Sequence, residues 1–109
     1  MSGRDLSKPW IELSAVEVAA VPGQLGVYQI GDDDGGVVRI GYAGGREPFG
    51  LRSALTREVE AGTGTRFRYE LTHGYLTRWE ELLMLHQAAS GRLPPGNADH
   101  LHPVGRLRP

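Results

Sequence analysis

Two short alternating runs flank a turn that few backbones accept, and this pattern constrains the chain more than any other. Residues 25–31 place Val27 and Gln29 on one face and Tyr28 and Ile30 on the other. Asp32-Asp-Asp-Gly-Gly36 follows, with acidic residues that bond to nearby backbone and glycines that accept positive φ. Residues 37–43 then return with β-branched and aromatic side chains. The pattern predicts a β-hairpin.

Helical and turn signals surround the hairpin. Ser14-Ala-Val-Glu17 has capping-box spacing, which predicts a short helix over 14–20 ended by Pro22-Gly23. After a loop at 44–50, Leu51, Ala54, Leu55 and Val59 recur at helical spacing with Arg57 opposite them, predicting a helix over 51–61. Gly62-Thr-Gly64 stops it, and residues 66–72 alternate basic with apolar or aromatic side chains as a third, half-exposed strand does. A longer helix over 76–89 carries the stripe Leu76, Trp79, Leu82, Leu83 and His86, with Gly91 as its cap and Pro94-Pro-Gly-Asn97 as a stiff exit. The expected fold class is α+β, a small three-stranded antiparallel sheet flanked by helices. The expected organisation is an N-terminal segment over 1–21 whose short helix packs on the domain, a domain over 22–97, and an irregular tail over 98–109.

Composition narrows the chemistry. The 109 residues include no cysteine, which excludes disulfides, thiol catalysis and thiolate zinc sites. The net charge of −1 conceals an uneven distribution: residues 39–78 hold seven arginines against four glutamates, whereas residues 1–38 are acidic. Such a basic middle creates a local field able to steer anions. Eleven of the 12 basic residues are arginine, the cation whose planar fork suits phosphate. No apolar run approaches a membrane span and no targeting segment is evident, so the expectation is a cytoplasmic protein without membrane contact. A phosphate-cradling G-x-x-x-x-G-K-[ST] loop and a G-x-S-x-G nucleophile motif are both missing. Asp99-His-Leu-His102 contains metal-ligand residue types, but no further ligand lies nearby in sequence.

The hairpin sets Tyr28 near Arg39, Gly41 and Tyr42, while Arg52 starts the next helix and Glu80 and Glu81 lie in the last one. A phenol, a guanidinium and a carboxylate suit metal-assisted phosphodiester cleavage. The carboxylate holds a hard cation, the guanidinium stabilises phosphorane charge, and the phenol orients or deprotonates water.

Pro22-Gly-Gln-Leu-Gly-Val-Tyr-Gln-Ile30 followed by Val38-Arg-Ile-Gly-Tyr-Ala43 resembles the paired hairpin motifs of the GIY-YIG nuclease superfamily. Gly26-Val27-Tyr28 stands for the first motif and Arg39-Ile40-Gly41 for the second. The resemblance covers roughly residues 22–97, and its specificity lies in the order of the motifs. It implies that Tyr28 lies near an attacking water, that Arg52 stabilises phosphate, and that Glu81 or Glu80 binds Mg2+ or Mn2+, with Glu81 slightly favoured. It also implies structural roles for Gly26, Gly41 and Asn97. Two positions depart from the pattern: Arg39 stands where the second motif begins with tyrosine, and Arg52 follows Leu51 directly instead of by a helical turn. Two functions are therefore expected. One is a metal-dependent endonuclease acting on nucleic acid, DNA foremost, with Arg39, Tyr42, Arg66, Arg68 and Arg78 as contacts. The other is a catalytically degenerate relative that binds nucleic acid or protein through the same cleft, with a protein partner as one source of specificity.

Overall fold

The computed structural model describes residues 4–100. In chain order these form β1 (Ile11–Glu12), α1 (Ala15–Ala19), β2 (Gly26–Gly31), β3 (Val37–Ala43), α2 (Gly50–Ala61), β4 (Arg66–Leu71), α3 (Tyr75–Ser90) and a 3-10 turn at Pro95–His100. Residues 101–109, most of the segment read as an irregular tail and including His102, lie outside the described residues, as do residues 1–3.

The predicted hairpin forms, with Tyr28 opposite Gly41 and Gln29 opposite Ile40, and its register shifts between Ile30 and Gly31. Asp32 builds the turn as its residue type predicts: Oδ1 accepts from the backbone N–H of Asp34 and Gly36, and Gly35 takes φ +84°. Ser14 caps α1 through its hydroxyl, and Gly62 and Gly91 end α2 and α3 in the left-handed region.

The sheet has four strands rather than the expected three, in the order β1-β4-β2-β3 and antiparallel throughout. The extra strand is β1, which pairs Ile11 with Phe67 and Glu12 with Arg66. Two residues carry no readable periodicity. This strand exists because the outer edge of β4 offers backbone donors and acceptors that need partners.

β2 lies in the centre and is buried on both faces, which is why its alternation separates two cores rather than core from solvent. Tyr28, Ile30, Ala43 and Phe67 pack with Leu51, Ala54 and Leu55 of α2 and with Val18 of α1. On the opposite face Val27 and Ile40 pack with Trp79, Leu82 and Leu83 of α3 and with Leu6. Leu6 arrives on a strap formed by the N-terminal segment. Asp5 Oδ1 accepts from Gln29 Nε2, while Arg78 and Arg68 donate to the carbonyls of Arg4 and Lys8. One expectation for α3 is corrected here: its buried residues are Arg78, Trp79, Leu82 and Leu83, whereas Leu76 faces solvent. The helix axis turns its apolar stripe toward β2 and β3, leaving the first-turn leucine outside it.

Candidate functional site

β3 is an edge strand, and two side chains occupy its open backbone. Asn97 is wholly buried. Its Oδ1 accepts from Ile40 N–H at 2.7 Å and its Nδ2 donates to Ile40 C=O at 2.9 Å. Trp79 Nε1 donates to the same carbonyl. The carboxamide thereby imitates one residue of a neighbouring strand, and the stiff Pro94–Asn97 exit brings it there.

Beside this closed edge lies a cleft of about 260 Å3, lined by Tyr28, Arg39, Tyr42, Glu47, Arg57, Glu58 and Trp79 together with backbone of Ile40 and Gly41. At its floor Glu58 accepts three hydrogen bonds: from the Tyr28 hydroxyl at 2.5 Å, from Arg39 Nε at 3.0 Å, and from the Thr63 hydroxyl. Arg39 extends a second nitrogen to the Gly96 carbonyl at 2.6 Å, tying the floor to the segment that carries Asn97. The Tyr28 ring lies directly over Gly41, where a built Cβ would fall 2.3 Å from the ring. Gly26 is equally constrained, with the Glu70 carbonyl 2.3 Å from its Cβ position. Both glycines are therefore structural requirements of the hairpin.

The electrostatics follow from this geometry. Burial, reinforced by the adjacent Glu58 charge, raises the Tyr28 phenol well above the usual tyrosine range. Burial alone would lower the Arg39 guanidinium, but the Glu58 charge and Tyr28 reverse this and raise it. At the rim, Arg57 donates both terminal nitrogens to the two oxygens of Glu47, at 2.7 and 2.5 Å. These bonds hold the Glu47 carboxyl below its ordinary value.

A pH dependence follows. A phenol raised in the folded state keeps its proton where the unfolded chain releases it, so its contribution is intact below about pH 10 and is lost as pH rises beyond that. Unfolding free energy measured in urea should fall on moving from neutral pH to above about pH 10, and fall less steeply in Tyr28→Phe. Parallel pH profiles for the two proteins would refute this assignment.

The structure brings together Tyr28, Arg39, Gly41 and Tyr42 of the residues singled out by sequence. It places Arg52 elsewhere. That side chain donates to the Val21 carbonyl and lies over the Phe49 ring, about 9 Å down the α2 axis from Glu58. Glu80 is exposed, and Glu81 is bonded to Arg78 at 2.8 Å. Neither lines the cleft. Arg78 also grips Glu70 with two nitrogens. Arg68 bonds to Gln29 and stacks on Trp10, and Arg66 donates to the Asp33 carbonyl. Arg66 and Arg68 belong to the sheet face opposite Tyr28, since they pair with Gly31 and Gln29 in the β4 register.

A divalent cation does not fit the donor set beside Tyr28. The two carboxylates lining the cleft are each held by a guanidinium, so a metal there would have to displace Arg39 or Arg57. Among the described residues no group of three or more acidic or histidine side chains converges on one point.

Sequence reasoning missed Glu58 and Arg57 as site residues. The signal for Glu58 was present: Leu51, Ala54, Leu55 and Glu58 follow the i, i+3, i+4, i+7 spacing of the core face. A carboxylate on that stripe requires buried partners.

A four-stranded antiparallel sheet with helices on both faces, and a polar cleft beside its β3 edge, define a small α+β domain. The chain belongs to DUF7508, a family described as a domain of unknown function, which matches residues 4–89. No curated protein and no solved structure matches it.

Proposed function

We propose that this protein is a GIY-YIG-like domain that binds nucleic acid at the β3-edge cleft without hydrolysing it. The observation that carries this reading is the saturation of Glu58 by Tyr28, Arg39 and Thr63. The phenol spends its proton on that carboxylate, and a raised pKa suits it poorly to deprotonate water at neutral pH. The arginine and glutamates that a metal-dependent cleavage would need lie on other surfaces. What remains at the cleft suits recognition. Arg57 has a side chain 61% exposed, and the exposed Arg46 lines an adjoining cavity that shares Tyr42 and Glu47 with the cleft. Arginine forks of this kind engage phosphate oxygens bidentately.

The test combines binding with cleavage. Labelled DNA and RNA, single- and double-stranded, are titrated with protein in EDTA and in Mg2+ or Mn2+, and plasmid is incubated in parallel. The expected result is metal-independent binding that Arg57→Gln weakens several-fold, with no strand breaks. Metal-dependent nicking abolished by Tyr28→Phe, Arg52→Ala or Glu81→Gln would replace this reading with the endonuclease.

A further inference from the structure

Resting on that reading, we infer that the cleft selects single-stranded nucleic acid, with a base on Tyr42 and a phosphate on Arg57 in the place now held by Glu47. A second cavity, also of about 260 Å3, adjoins the first and shares Tyr42 and Glu47 with it. Its other lining residues include Arg46, Tyr75 and Leu76. Tyr42 is 39% exposed even though its ring is fixed on two sides. It stacks on Tyr75 with centroids 5.6 Å apart at 20°, and meets Trp79 edge-on at 5.1 Å. Tyr75 is in turn pressed against Gly44, where any Cβ would fall 2.8 Å from its ring. An exposed tyrosine held rigidly by an aromatic stack gives an unpaired base a platform at little entropic cost. A duplex offers no free base face to such a platform.

Glu47 completes the site by what it imitates. It presents two oxygens to the two terminal nitrogens of Arg57, the same forked geometry a phosphate adopts. It sits on the loop between β3 and α2, flanked by Gly44, Gly45 and Gly50. An incoming phosphate therefore exchanges one anion for another on an already oriented guanidinium. Glu47 acts as a competitor built into the site.

Fluorescence anisotropy with oligothymidylate, oligouridylate and a DNA duplex of equal length tests this, using the full chain in EDTA. Single strands should bind at least tenfold more tightly than the duplex. Tyr42→Ala should weaken single-strand binding by about tenfold or more, and Tyr42→Trp should restore it. Glu47→Gln should tighten binding several-fold and steepen its fall with added salt, because Arg57 then meets phosphate without an internal anion competing for it. Each variant is compared at matched thermal stability, and the Trp variant guards against a merely structural loss. Equal affinity for duplex and single strand, with Tyr42→Ala inert while Arg57→Gln still weakens binding, would overturn this inference and leave the proposed function standing. Failure of every nucleic acid to bind would overturn both. Polyglutamate bound as tightly as oligothymidylate would overturn nucleic-acid selectivity in favour of an acidic protein ligand.

Discussion

Replacing Glu58 by alanine should lower the unfolding free energy by about 3–5 kcal/mol, the cost of stripping a buried charge of its partner. Three donors lose their acceptor at once. Tyr28 is 4% exposed, so its hydroxyl cannot turn to water without moving the ring that covers Gly41. Arg39 keeps its bond to the Gly96 carbonyl but loses its counter-charge. Thr63 is the least affected, because it lies at the end of α2 where solvent can replace the carboxylate. Urea unfolding measures the loss. Glu58→Gln separates shape from charge: the amide fills the space yet offers one acceptor oxygen where the carboxylate offers two. Its loss should therefore be intermediate. In the double variant Glu58→Ala/Tyr28→Phe the penalty should shrink, since one orphaned donor has gone. A loss below about 1 kcal/mol for Glu58→Ala would mean that the cleft floor is not the structural hub its geometry describes.

Gly41→Ala is the second large effect, expected at about 2–3 kcal/mol or more. A Cβ at this position would overlap the Tyr28 ring and hydroxyl at 2.3–2.4 Å, inside any real contact distance. Tyr28 cannot retreat, because its other side packs into the core with Ile30, Leu55 and Phe67. Gly45→Ala is the matched control, with open space around its Cβ position and no positive φ, and should be nearly neutral. The decisive comparison is a double variant. If the Tyr28 ring is the obstacle, Gly41→Ala should cost far less in a Tyr28→Ala background than in the parent. Additive losses would place the strain elsewhere. Denaturation midpoints for the four proteins answer the question.

Much of the fold was legible because local rules agree with one another. The Asp32–Gly36 turn, the capping serine at Ser14 and the stops at Gly62 and Gly91 appear in the structure as their residue types predict. Each depends on neighbours within a few residues. β1 was not legible, since a two-residue strand is defined by the edge it meets. The outward turn of Leu76 was not legible either, because helix orientation depends on which sheet face receives it.

The candidate site divides along the same line. Tyr28, Arg39 and Gly41 share one face of the hairpin through its register, whereas Tyr42, opposite Val27, lies on the other face and joins the cleft at the β3 edge. Arg52 and Glu81 could not be placed that way. Arg52 turns to the Val21 carbonyl, and Glu81 joins the Arg78 and Glu70 cluster on the far side of the sheet.

By itself the sequence determined an antiparallel α+β domain, its central hairpin and the two faces of that hairpin's first strand. It also carried an arginine-rich middle, without revealing which arginines face one another. Tertiary structure decided that Arg68 and Arg78 pin the N-terminal strap while Arg39 and Arg57 meet at the β3 edge. It also chose Glu58, over Glu80 and Glu81, as the carboxylate beside Tyr28. The physical reason is range. Turn, cap and pairing preferences act over a few residues, whereas the partner of a buried charge is set by how α2 and α3 dock on opposite faces of one sheet.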